Sequence, residues 1–219
     1  MQIANSNLTL FDYITNSNKA DSALQDAAVR QKFDVASDIR NLQQDIISGD
    51  IDTTLTQLQS GESSLNLQTL DNMLNFNLLS VSKDLQQVVR DLGITEEVEI
   101  KHIDGQWQVQ NQNGPQDRSL SQLQNYLERN NKLQKQLDTM NKLSELVELG
   151  ASQQYAKQLQ KADISEPDVV TYLTQAREYL FSIDSFSLSS KHLSLGSRGE
   201  AENFFAEVKQ TLGLSDDNK

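Results

Sequence analysis

Across residues 97–111, EVEIKHIDGQWQVQN, the side-chain pattern leaves the helical spacing that governs most of the chain. Val98, Ile100 and His102, then Trp107 and Val109, alternate with Glu99, Lys101, Gln106, Gln108 and Gln110. A period of two is what a half-buried strand requires, because successive side chains leave opposite faces. Between the runs, Asp104-Gly105 tolerates positive φ and suits a two-residue type I′ turn. Closing on that turn fixes the register: Ile103 opposite Gln106, His102 opposite Trp107, Ile100 opposite Val109, Glu99 opposite Gln110. One face is then apolar and holds the single Trp; the other is polar. A two-stranded ribbon is marginal alone in water, so its apolar face must lie against helices, or it must pair with another strand across an oligomer interface.

Elsewhere the spacing is helical. A stripe of Leu24, Ala28, Val35, Ile39, Leu42 and Ile46 predicts a helix from Asp21 to a stop at Gly49. Asp50 can cap a short helix through Leu55 and Leu58 to Gly61. A long helix opened by Ser64 carries Leu67, Leu70, Leu74, Leu78, Val81, Leu85, Val88 and Leu92 before Gly93, with Met73, Phe76 and Leu79 widening the apolar stripe. After a linker at residues 111–118, broken by Gly114-Pro115, Ser119 starts a helix with Leu120, Leu123 and Leu127. The stripe stumbles at Arg129, Asn130 and Asn131, which predicts a kink or a fresh start near Asn131, itself able to serve as N-cap, and it resumes with Leu133, Leu137, Met140, Ser144 and Val147 to Gly150. A short helix then covers 151–162.

Ser165-Glu166-Pro167-Asp168 is a capping sequence for a helix burying Val169, Tyr172, Leu173, Ala176, Leu180 and Ile183. Residues 185–197 are Ser/Leu-rich and read as irregular. A last helix spans 200–212, with Phe204, Phe205 and Val208 apolar, and the final SDDNK reads as a solvated tail. The fold class that follows is mainly α: a multi-helix bundle of amphipathic helices with one β-hairpin at about 97–111. The organisation expected is a flexible leader over 1–20, a helical subdomain over 21–113 ending in the hairpin, and a C-terminal helical subdomain over 114–219.

Composition narrows the function. The net charge of −12 argues against nucleic-acid backbones and anionic membranes, which need clustered Lys and Arg. With no Cys there is neither a thiolate nucleophile nor a thiolate metal site. No apolar run is long enough to span a bilayer. Asn and Gln make up about a fifth of the chain and aromatics only 6%, which suggests elongated helices with wide polar faces. The first twenty residues lack a secretory signal; their bland, amide-rich composition is that of flagellar and type III export leaders and equally of many disordered tails.

Catalytic signals are weak. His102 and His192 are the only histidines and neither has a metal-ligand neighbour in sequence. Packing against Trp107 accounts for His102. Glu96, Glu97 and Glu99 form the densest acidic group, next to Asp104, but Glu97 and Glu99 are spread along one strand face rather than converging. Gly196-Ser197-Arg198-Gly199 before the last helix could face an anion, though helix capping accounts for it without one.

The reading that follows is a non-enzymatic protein-protein interaction or adaptor protein of bacterial type, acting through helix faces and the Trp-bearing hairpin. The candidate partner contacts are His102, Trp107, Val109, Phe204 and Phe205. No cofactor or metal is implied, and a homo-oligomer is compatible with the stripes. The expected location is cytoplasmic, or alternatively exported without a Sec signal peptide. Two alternatives stand beside this: an exported accessory or structural component of a flagellar or type III secretion apparatus, and an enzyme with a carboxylate-based site.

Overall fold

The computed structural model describes residues 48–60, 66–111 and 117–214. The expected leader over 1–20, the helix from Asp21, the Ser64 start, the Gly114-Pro115 break and the SDDNK tail lie outside the described residues.

As the spacing predicts, the fold is mainly α. The helices are α1 (Ile51–Ser60), α2 (Leu67–Asp91), α3 (Arg118–Arg129), α4 (Asn131–Lys161), α5 (Glu166–Phe181) and α6 (Glu200–Thr211). All but α6 start where a short polar side chain can take an orphan N–H. Asn66 Oδ1 accepts from the Thr69 N–H at 2.8 Å, Asp117 Oδ1 from Leu120 at 2.9 Å and Asn130 Oδ1 from Leu133 at 3.1 Å. The caps of α3 and α4 are thus Asp117 and Asn130 rather than Ser119 and Asn131.

The core of α2 is Leu70, Met73, Leu74, Val81, Leu85 and Val89. α4 lies at the centre, packed against α2, α5 and α6. Gly150, expected to end it, sits inside it: the helix runs unbroken to Lys161. A Cβ at 150 would overlap the Leu67 side chain, so the glycine serves close approach of two helices rather than termination.

The hairpin forms as read, from β1 (Val98–Ile103) and β2 (Gln106–Asn111), in the expected register and with Asp104 and Gly105 at φ 50 and 77. The sheet is larger than that hairpin. Residues 185–197, read as irregular, contain β3 (Ser185–Leu188) and β4 (Leu193–Leu195), giving the antiparallel order β2-β1-β3-β4. Phe186, Leu188, Leu193 and Leu195 alternate with Ser and fall on the same buried face as Val98, Ile100, Trp107 and Val109.

The ribbon therefore finds both kinds of support within one chain. Helix α3 packs along β2, and β3 completes β1. This also means that packing crosses the division expected at residue 114, since β1 before it and β3 after it share a ladder within the compact unit that begins at Asp50.

Candidate functional site

One face of α4 carries Asp138, Asn141, Glu145, Glu148 and Ser152, spaced three or four apart so that they form a line along the helix. Such a line would ordinarily face water. Here it meets groups delivered by other elements. Asp138 Oδ1 accepts from Trp107 Nε1 at 2.8 Å, drawing the indole of β2 onto α4. Asn141 Nδ2 donates to Glu145 Oε1 and to Asp184 Oδ1, both at 3.1 Å. Glu148 is buried, and its two oxygens accept from the backbone N–H of Gly199 at 2.9 Å and of Ala201 at 3.0 Å. Ser152 Oγ donates to the Glu148 carbonyl at 3.0 Å.

The Glu148 contact answers the question raised by Gly196-Ser197-Arg198-Gly199. The amides that open α6 are taken by a carboxylate of the same chain, where a bound anion would otherwise sit, and the helix dipole favours that charge. Gly199 has φ 82, so the turn into α6 needs glycine. Beside it the buried hydroxyls of Ser144 and Ser197 are 2.9 Å apart, and Arg198 reaches Asn75 Oδ1 at 2.7 Å and Asp71 Oδ1 at 3.2 Å on α2.

Electrostatically the outstanding member is Glu145. Burial pushes its carboxyl up from 4.5 to about 7, and the negative charge of Asp184 adds to the rise, against the opposing pull of Lys142 and the Asn141 hydrogen bond. A proton on Glu145 near neutrality is the chemistry this arrangement can offer. Among the described residues no group of three or more His, Cys, Asp or Glu is placed to hold a metal ion, and no helix is long and apolar enough to cross a membrane.

The five expected contact residues fall into two separate clusters. In the sheet, Trp107 is 5% exposed, its ring 4.8 Å from that of His102 and 5.2 Å from Phe186, and Val109 is buried as well. On α6, Phe205 is buried with its ring 4.5 Å from Tyr155, while the half-buried Phe204 stacks 5.5 Å from Tyr179. Trp107, Val109 and Phe205 belong to this chain's own core, because β3, α4 and α5 reach them first. They offer no surface to a partner in this state.

Other side chains do. Phe76 and Leu79 on α2 are 72% and 75% exposed, one helical turn apart. Hydrophobicity alone puts them with the apolar stripe of α2, but at about 100° per residue Phe76 lies some 200° round the helix from Leu74. That angle was the signal in the sequence. Exposed Asn72, Ser80 and Lys83 surround the pair.

No protein family, no curated protein and no solved structure matches this chain.

Proposed function

We propose that this protein acts without catalysis, binding an amphipathic partner helix on the exposed face of α2, with Phe76 and Leu79 as anchors. The observation that carries this is their exposure: large apolar side chains in this unit are otherwise mostly buried, and two neighbours one turn apart left in water give the apolar stripe of a partner helix something to pack against. Of the two surfaces expected, helix faces and the Trp107 hairpin, this reading keeps a helix face and sets the hairpin aside, because Trp107 and Val109 are buried.

The test is a photo-crosslinking residue placed at 79 and, as control, at exposed Asp163, in the full chain. A defined adduct at 79, absent at 163 and abolished by Phe76→Asp, supports the reading; equal labelling at both positions sinks it. Light scattering on the purified chain separates partners. A dimer lost in Phe76→Asp makes the partner a second copy, and a monomer makes it another protein.

A carboxylate-based enzyme is the second reading, and the Glu145–Asp184 pair is what favours it. A carboxyl raised to about 7 beside a second acid is in the range of a general acid. Hydrolytic activity lost in Glu145→Gln would support it. Activity unchanged in that variant would remove it.

A further inference from the structure

Along the α4 seam, Asp138 holds the Trp107 indole and Glu148 holds the start of α6. Glu145 stands between them, and it shares a single amide nitrogen, that of Asn141, with Asp184. Two acids on either side of one neutral NH2 group are in electrostatic conflict when both are ionised, because partial burial weakens the screening that water would supply. Protonating one of them resolves the conflict. A neutral Glu145 keeps an oxygen for Asn141 and removes one of the two facing charges.

The location gives this conflict a consequence. Asp184 lies between α5 and β3, and its carbonyl accepts from the His102 N–H at 3.0 Å. That bond extends the β1–β3 ladder one step past the Lys101–Ser185 pair. Asp184 is therefore tied to α4 through its side chain and to β1 through its backbone, at the point where the second hairpin enters the sheet. Whatever loosens its side chain loosens the end of the ladder.

We propose that Asn141, Glu145 and Asp184 form a proton-operated latch between α4 and the start of β3, closed when Glu145 is neutral and loosened when it ionises. The latch stands independently of the α2 binding reading. Its electrostatic surroundings are defined. Asp184 from the α5–β3 turn opposes ionisation of Glu145, and Lys142 on its own helix favours it. Asp138 and Glu148 are held by the contacts above. His102, on the sheet, has its ring against Trp107. Glu200 of α6 accepts from the Tyr179 hydroxyl, Arg177 of α5 binds Asp52, and Arg198 binds Asp71.

The sign of the pH dependence follows. Glu145 has a raised folded value, so the folded state holds a proton that the unfolded chain releases. The stabilisation is complete below the ordinary value of 4.5, and it is lost as pH climbs through about 7. The junction is tight in mild acid and loose in mild alkali, opposite to the usual behaviour of a salt-bridged carboxylate.

Amide hydrogen exchange and carboxyl carbon NMR on the full chain test this. The protection factor of the His102 amide, corrected for intrinsic rates, should fall roughly tenfold from pH ~5.5 to ~8.5, as a one-unit coupling would give. In Glu145→Gln, permanently neutral, it should stay at the acid level across that range. An equal fall in wild type and Glu145→Gln overturns the latch, as does a Glu145 carboxyl that titrates in the ordinary carboxylate range. Should Glu145→Gln fold poorly, Asp184→Asn decides: the Glu145 midpoint must drop relative to wild type, and an unmoved midpoint overturns the proposal.

Discussion

The two hairpins of the sheet are built on opposite plans. β1–β2 has two strands of six residues, a two-residue turn whose positive φ values suit Asp-Gly, and a six-pair register. β3–β4 has strands of four and three residues, and three pairs. Its connection has one backbone bond, from the Ser189 N–H to the His192 carbonyl, and is otherwise held by side chains: Ser189 Oγ lies 2.8 Å from His192 Nδ1 and accepts from the Lys191 and His192 N–H groups at 3.2 Å, while His192 Nε2 lies 3.2 Å from Glu97 Oε2. Arg90 of α2 adds a bond to the Ser190 carbonyl at 3.0 Å. The first hairpin carries its own geometry; the second borrows it from β1, from α2 and from the residues before β1. A short ribbon can be stable inside a sheet when longer neighbours set its register.

The same contrast appears at the free flank of β2. An unpaired edge invites strand addition. Here Gln124 of α3 occupies it, accepting from the Val109 N–H at 2.6 Å and donating to the Trp107 carbonyl at 3.2 Å. One side-chain amide thereby takes the place that a residue of a parallel fifth strand would fill. Glu128 Oε1, at 2.9 Å from Gln124 Nε2, holds the amide in that orientation.

The largest expected effect is on the residue that joins the two hairpins. Phe186 is fully buried, pairs with Ile100 and Leu195 across its two neighbours, and meets the Trp107 ring edge-on. Phe186→Ala should cost ~3–5 kcal/mol in chemical denaturation. If the second hairpin depends on the first and not the reverse, β3–β4 amides should lose exchange protection before those of β1–β2. Simultaneous loss would erase the distinction.

Next comes Gln124. Its removal leaves the Val109 N–H and the Trp107 carbonyl unpaired in a partly buried setting, so Gln124→Ala should destabilise by ~1–3 kcal/mol. Gln124→Glu sharpens the point, because a carboxylate accepts from Val109 but cannot donate to Trp107. A loss in Gln124→Glu no greater than measurement error would mean that the amide orientation is irrelevant. Gly105→Ala follows, at ~1 kcal/mol, since φ 77 suits glycine while a Cβ there would meet no neighbour.

Much of this architecture could be read from the residues, and what could not has physical causes. The first hairpin is legible because its alternation runs long enough on both sides of Asp-Gly to exclude a helix. In the second, Phe186, Leu188, Leu193 and Leu195 alternate as faithfully, but over runs too short to stand out, with Ser between them and no turn pair requiring positive φ. Gly150 looked like a stop because its reason, the approach of Leu67, lies over eighty residues away in sequence. The polar seam repeats at three and four along α4, yet a polar stripe normally means solvent, so nothing in the spacing singles it out. What turns Glu145 and Glu148 inward is the arrival of residues 184 and 199–201, a tertiary event that spacing along α4 does not record. Trp107 lies on the inner face that the alternation predicts; its burial comes from a helix the spacing shows, through Asp138, and from Phe186 in a segment whose strands are too short to stand out.

The smallest effect belongs to the turn of the second hairpin, and it bears most directly on whether that hairpin is borrowed. Ser189→Ala removes a hydroxyl that accepts from two backbone N–H groups at 3.2 Å and contacts the His192 ring. Because Ser189 is only half-buried, water can replace part of what is lost, and the expected destabilisation is ~0.5–1 kcal/mol. The backbone bond from the Ser189 N–H to the His192 carbonyl, at 2.9 Å, remains and should keep the turn closed. If the neighbours set the register, exchange at Ser187 and Leu188 should be unchanged while that at Lys191 and His192 rises. Loss of protection along all of β3 would instead place the information for the second hairpin in its own turn, as in the first.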